Sequence, residues 1–260
     1  MNLPLSPFAS GLDARRFFAS ATHEEALARL EYLLEKRSRL GLLTGPSGSG
    51  KSLLLELTAR RWKRAGHAVA VLDVVGRSTH DFLWQLASQW QCPVLPNAPT
   101  FALWQAITDA LTVQRCEHRA AALLIDDADF ASRELCELLQ RLVHLGDAQQ
   151  PRLTMVLAVA ERRGEDLGPR LLERAELRIE LQPWDVAETR DYLQLQLADQ
   201  TTTAPTLDMP ATQRLHDLCA GLPRRINQLA NLVLLAAASE AQEVVDVETI
   251  EKVYRELTVR

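Results

Sequence analysis

Eight residues, Gly45-Pro46-Ser47-Gly48-Ser49-Gly50-Lys51-Ser52, place a glycine, four residues and then Gly-Lys-Ser. That spacing suits the binding of phosphate. Glycines at 45, 48 and 50 let the backbone curl until successive N–H groups point at phosphate oxygens, and a helix starting next adds its unpaired N–H groups and positive dipole end. Lys51 then reaches the β- and γ-phosphates of a nucleoside triphosphate, while Ser52 offers a hydroxyl to Mg²⁺. The expected nucleotide-contacting run is 45–52 together with Leu53. A serine-nucleophile elbow, Gly-x-Ser-x-Gly, fails because Ser49 stands where its last glycine is needed.

A second group of residues could complete that chemistry. Ala122-Leu123-Leu124-Ile125-Asp126-Asp127 is an apolar run ending in carboxylates. A strand beside the phosphate loop would bring Asp126 to the metal, and Asp127 could then orient or deprotonate an attacking water. An acidic turn that merely ends a strand is the plain alternative, and the filled phosphate loop upstream argues against it.

The elements that must hold these groups follow from periodicity. Leu40 to Thr44 reads as a buried strand before the loop and Leu53 to Arg64 as a helix after it. Further strands are expected at 68–73, 120–125, 153–159 and 177–181. Helices are expected at 22–36, with Thr22 as N-cap, and at 79–91, 100–115 and 132–145. Pro93, Pro96 and Pro99 separate the second and third of these helices. Apolar strands alternating with helices predict an α/β fold with a parallel sheet covered on both faces. Beyond Pro183 helices are expected at 185–198, 210–220, 223–238 and 247–257, with a polar loop at 200–205. The expected division is therefore a nucleotide-binding core, 1–183, and a small helical lid, 184–260.

Composition narrows the partners. The 260 residues are 47% hydrophobic and 24% charged, with a net charge of −5, which is ordinary for a globular protein. No global basic field exists to draw the chain onto DNA or an anionic membrane. The densest basic cluster, Arg60, Arg61, Lys63 and Arg64, falls where a helix C-terminus favours cations, so a solvated helix end competes with a DNA patch. Trp84, Trp90 and Trp104 read as core or interface residues. Cys92, Cys116, Cys136 and Cys219 are dispersed, and with six scattered histidines they form no metal-ligand spacing. The N-terminus lacks the pattern of a signal peptide, and Leu232 to Ala238 is too short to span a bilayer. Reduced thiols, a cytoplasmic location and no direct membrane insertion are the expectations.

Taken together, these residues resemble the AAA+ superfamily of P-loop ATPases. Pro7-Phe8, Phe17-Phe18, Ser20, His23 and Glu25-Ala26-Leu27 are similar to the segment before the phosphate loop in the general secretion pathway protein A (ExeA/GspA) family. Arg174, Arg178 and Pro183 resemble that family's paired arginines and following proline. Gly221-Leu222-Pro223-Arg224-Arg225-Ile226-Asn227 resembles its Gly-x-Pro-Arg-x-Ile-Asn signature. The resemblance implies a five-stranded parallel sheet with a helical lid, ATP and Mg²⁺ as ligands, and a nucleotide-dependent homo-oligomer. It implies that Arg224 is a sensor-2 arginine reaching the γ-phosphate. Arg174 would be an arginine finger offered to a neighbouring subunit, with Arg178 as the alternative. Both roles suit a guanidinium that binds phosphate oxygens in a fork. His23 would line the adenine side or serve as a hydrogen-bonded helix-start residue.

Two departures from the family bear on rate. Asp127 stands where the family has Glu, one methylene longer, and a misplacement of about 1 Å can cost on the order of 10²-fold. Bacterial replication initiators, also AAA+, are similar to this Asp-Asp form. The family places a polar sensor-1 residue at the end of the fourth strand, whereas Leu157-Ala158-Val159-Ala160 offers none and Glu161 or Arg162 would have to substitute. The leading expectation is an ATP-hydrolysing machine that remodels or helps assemble a protein complex. The rival is a slowly hydrolysing, ATP-dependent DNA-binding switch resembling the target-selection ATPases of transposition systems. Typical secretion-family members continue into a transmembrane segment and a peptidoglycan-binding domain; this chain stops at Arg260, so a secretion role is expected to need a separate membrane partner.

Overall fold

The computed structural model describes residues 17–145, 153–160, 167–198, 205–240 and 242–258. The expected contributions of Pro7, Phe8, Glu161 and Arg162, and of the loop around 201–204, lie outside those residues. The chain divides into two compact units: His23–Gly45 with Lys51–Leu181, and Met1–Thr22 with Pro46–Gly50 and Gln182–Arg260.

The first unit is built on α1 (Ala21–Glu35), β1 (Leu40–Gly45), α2 (Lys51–Arg64), β2 (Ala68–Asp73), α3 (Thr79–Gln89), α4 (Thr100–Cys116), β3 (Ala121–Asp126), α5 (Arg133–His144), β4 (Leu153–Ala160), α6 (Pro169–Leu172) and β5 (Leu177–Glu180). All five strands run parallel, in the order β2-β3-β4-β1-β5. Leu40, Leu42, Leu123, Ile125, Met155 and Leu157 pack from one face against Phe82, Leu86, Leu103, Ile107 and Leu139 of the helices. The intervening Leu43, Ala122, Leu124 and Val156 are also fully buried. Burial on both faces is why these strands read as continuous apolar runs instead of alternating ones. Trp62, in the last turns of α2, is buried and its Nε1 donates to Glu31 Oε2 of α1 at 2.8 Å. Trp84, Trp90 and Trp104 pack partly buried against the core, and the Arg141 guanidinium lies 4.5 Å from the Trp104 ring centroid. Ser78 and Ser132 cap α3 and α5 by accepting from the N–H groups of Asp81 and Leu135.

β4 lies between β1 and β3, pairing with β1 from Leu40↔Met155 to Gly45↔Ala160 and with β3 from Ala121↔Leu153 to Ile125↔Leu157. Two expectations need correction. Helix α2 begins at Lys51, not Leu53, because Gly50 at φ +102° turns the loop directly into the first helical residue. Helix α1 begins at Ala21, so Thr22 lies inside it, and the Ala21 N–H is satisfied by Glu188 Oε1 at 3.2 Å.

The second unit contains α7 (Val186–Ala198), β6 (Thr206–Leu207), α8 (Met209–Cys219), α9 (Pro223–Ser239), β7 (Val244–Val245) and α10 (Val247–Thr258). The parallel pair β6 and β7 is an addition to the expected helices, and two residues each are too few to show a strand period. Asp185 and Glu188 form a reciprocal cap at the start of α7: Asp185 N–H donates to Glu188 Oε2 at 3.0 Å, and Glu188 N–H donates to Asp185 Oδ1 at 2.7 Å. Phe18 packs edge-on against Trp184 and Tyr192, with ring centroids 5.4 and 5.6 Å away. The Tyr192 hydroxyl donates to Asn227 Oδ1 of α9. Burial pushes the Cys219 thiol of α8 up to about 12, making it inert at neutral pH.

Candidate functional site

The core unit supplies a lysine and a group of acids. Lys51 opens α2 with only 9% of its surface exposed, and its Nζ donates to the carbonyl of Gly45, the last residue of β1, at 2.9 Å. Burial lowers its pKa, and the charges of Asp126, Asp127 and Asp129 oppose that shift. These three acids are therefore close enough to act on the lysine although β3 and β1 are not paired. Ser52 and Leu53 follow in the first turn of α2, both half-buried.

Asp126 is the last residue of β3, half-buried, and its Oδ1 accepts the Asp127 N–H at 3.0 Å. Asp127 is exposed and left-handed, at φ 49° and ψ 37°, a conformation that Asp adopts more readily than most residues. It leads into a 3₁₀ turn, Ala128–Phe130, whose Phe130 N–H donates back to the Asp127 carbonyl at 2.9 Å. The pKa of Asp127 is raised by the desolvation it suffers at this turn, then by the carboxylates of Asp126 and Asp129, with Lys51 opposing. A carboxyl shifted upward is a better proton acceptor than an ordinary aspartate.

Two features escaped the sequence reading. Asp129 is buried within the turn, and its Oδ1 accepts from the N–H of Ala160 at the end of β4, at 3.3 Å. Asp73 ends β2 and is held by a two-pronged contact with Arg77, Nε to Oδ1 at 2.9 Å and Nη2 to Oδ2 at 2.7 Å. Its charge also acts on Asp127. A spacing of three residues from Asp126 gave no signal for Asp129, because its relevance depends on the non-local position of Ala160.

The loop residues Pro46–Gly50 belong to the same compact unit as α9. Gly48 has φ +87°, and a Cβ there would sit 2.9 Å from the Cβ of Arg224. The Arg224 N–H donates to the Gly48 carbonyl at 3.2 Å. Pro223 at the first turn of α9 needs no donor, so it opens the helix at no cost. The Arg224 side chain is exposed, and its guanidinium has no hydrogen-bond or ion-pair partner among the described residues. Ser47 is exposed, Pro46 half-buried and Ser49 buried.

Arg174 and Arg178 both belong to the core unit and are exposed, Arg178 on the edge strand β5. Arg174 lines a cleft of about 540 Å³ with Gln140, His144, Arg170 and Glu173. His23 is buried at the start of α1. Arg60 pairs with Glu56 at 2.7 Å, and Arg60, Arg61, Lys63 and Arg64 are all exposed at the end of α2. Among the described residues, no group of three or more His, Cys, Asp or Glu side chains could hold a metal ion, and no helix is long and apolar enough to cross a membrane.

The chain is similar to known proteins. General secretion pathway protein A of Aeromonas hydrophila is 26% identical over 235 residues, covering 89% of this chain and 43% of that protein. The chain thus spans less than half the length of that relative. The Thermotoga maritima RuvB Holliday junction branch migration motor superposes with a TM-score of 0.62 at 17% identity, over 91% of this chain and 70% of that one. The Aeropyrum pernix ORC2 protein, solved with ADPNP and ADP, gives 0.66 at 14% identity, over 90% and 66%. At these identities the structural likeness speaks for the fold, an α/β P-loop NTPase of AAA+ type. The family model described as an AAA domain matches residues 34–164, just over half of the sequence, and the chain belongs to that family, with a likeness within it to general secretion pathway protein A.

Proposed function

We propose that this chain binds ATP with Mg²⁺, hydrolyses it as a nucleotide-dependent homo-oligomer, and uses the cycle to remodel or help assemble a partner protein complex. The observation that carries the reading is Lys51, buried at the mouth of the phosphate loop and within electrostatic reach of the Asp126–Asp127 turn. The N–H groups of 45–53 cradle the phosphates, and Lys51 exchanges the Gly45 carbonyl for a phosphate oxygen. Mg²⁺ would be held by the Ser52 hydroxyl and the Asp126 carboxylate, and would supply positive charge to offset that of the phosphates. Both are hard oxygen donors of the kind this ion takes, and two protein ligands with substrate phosphates suit it. Asp127 accepts a proton from the attacking water. Arg224, in the same unit as loop residues 46–50, is assigned to the γ-phosphate, and Arg174 or Arg178 to the nucleotide of a neighbouring subunit. The resemblance to secretion-pathway ATPases supports the partner reading.

Purified protein assayed for ATP turnover across a range of concentrations tests this reading, alongside Lys51→Ala, Asp127→Asn and Arg174→Ala. All three variants should lose turnover. Tight ATP binding with negligible wild-type turnover would sink the machine, and turnover that survives Arg174→Ala at every concentration would remove the trans role of that residue.

A second reading is favoured by β4, whose residues 157–160 carry no polar side chain, together with the short arm of Asp127. In it the chain is a slowly hydrolysing switch that binds DNA when ATP is bound. A gel-shift with double-stranded DNA and ATP separates the two, and no shift counts against the switch.

A further inference from the structure

Asp129 is 92% buried in the 3₁₀ turn after β3, yet only one of its oxygens has a hydrogen-bond partner among the described residues. Oδ1 accepts from the Ala160 N–H at 3.3 Å, whereas Oδ2 is buried and has no hydrogen-bond partner among the described residues. A buried carboxylate oxygen left unpaired is costly, so such atoms are normally met by ordered water when no protein donor is present. The groups around this oxygen are those of the proposed site. Asp129 lies close enough to both Lys51 and Asp127 for its charge to act on each, and its Oδ1 bond fixes it to the end of β4. Leu157-Ala158-Val159-Ala160 offers no side chain there to hold a water.

We propose that Asp129 is a positioning residue for ATP hydrolysis, holding through Oδ2 the water that Asp127 activates. Asp129 thus supplies from the β3 turn the polar anchor that β4 lacks. The Oδ1 bond to Ala160 keeps the anchor rigid. The free oxygen accepts a hydrogen from the water and so turns a lone pair of that water away from itself. The inference rests on the ATPase reading above.

Two substitutions divide the roles of the oxygens. Asp129→Asn keeps a carbonyl oxygen for the Ala160 N–H but replaces the other oxygen with an amide that donates, so the water would be held in the reverse sense. Asp129→Ala removes both. For Asp129→Asn the expected result is a melting temperature like the wild type, affinity for a non-hydrolysable ATP analogue within about twofold, KM little changed, and kcat down at least about tenfold. A purely structural Asp129 predicts wild-type kcat in Asp129→Asn and a defect only in Asp129→Ala, which would overturn the proposal. A crystal structure of the wild type with the analogue and Mg²⁺ decides independently of turnover. An ordered water about 2.7–3.0 Å from Oδ2 is expected, and its absence overturns the inference. A wild type that fails to hydrolyse ATP would instead overturn the proposed function, with the crystallographic water still reporting on Asp129.

Discussion

Replacing Gly221 by Ala should unfasten α8 and α9 from the chain entering α7. Gly221 has φ +66°, and a Cβ there would meet the Trp184 carbonyl oxygen at 2.2 Å and the His216 ring at 3.2 Å. The same glycine accepts the Trp184 N–H through its own carbonyl at 2.9 Å. Two costs add. The left-handed conformation costs a residue with a Cβ about 1–2 kcal/mol, and forcing atoms into a filled space costs about 1–3 kcal/mol more. Backbone has to give way by roughly 0.8 Å to bring the contact back to 3.0 Å. The total is about 2–5 kcal/mol. Gly66→Ala is the control, since Gly66 has φ +87° with nothing within 4 Å of its added Cβ, and it should cost only the conformational part. Because the clash is confined to one of two compact units, it is read locally, as amide hydrogen exchange in α8 and α9. Gly221→Ala should lower the opening free energy there by about 2–5 kcal/mol, and Gly66→Ala should leave it unchanged. Equal protection of α8 and α9 in Gly221→Ala and wild type would refute the clash.

Three further outcomes are expected. Asp127→Glu restores the longer arm that the family carries, and kcat should rise by up to about tenfold if reach limits the rate; steady-state turnover with unchanged or lower kcat contradicts that view. Asp185→Ala breaks the reciprocal cap with Glu188 and should destabilise α7 by about 1 kcal/mol, read as faster amide exchange in its first turn. The Arg77 guanidinium holds the Asp73 carboxyl below its ordinary value. A depressed folded pKa contributes stability above the unfolded value of about 3.9 and loses it as pH falls through the folded value. Arg77→Gln should therefore lower the melting temperature at pH 7 but not well below pH 3. The effect is worth less than about 1 kcal/mol, because the Asp73 carboxylate is half exposed and screened, and an equal difference at both pH values would contradict it.

The elements that carry the candidate site were legible because their signals are local. The run 45–52 carries its expected chemistry in spacing alone, and β2 is found at 68–73 as its apolar run requires. The Asp185–Glu188 cap is a pattern three residues long, and the structure forms it in both directions. The start of α1 was misplaced where a contact is distant: the Ala21 N–H donates to Glu188, far along the chain.

The amino-acid sequence by itself determined that a glycine-rich turn joins a buried strand to a helix, and that acids end another strand. Glycine spacing and apolar runs act over a few residues, so no tertiary knowledge is needed to read them. Only the tertiary structure decided which groups meet. Strand order put β4 between β1 and β3, which brings the N–H of Ala160 to Asp129 and leaves one carboxylate oxygen buried beside the Asp127 turn. Packing within the second unit likewise set Gly48 against Arg224 and Gly221 against Trp184, so each glycine answers to a neighbour remote in sequence. The reason is that strand pairing and close backbone approach are set by burial of whole faces, and no short stretch of sequence encodes them.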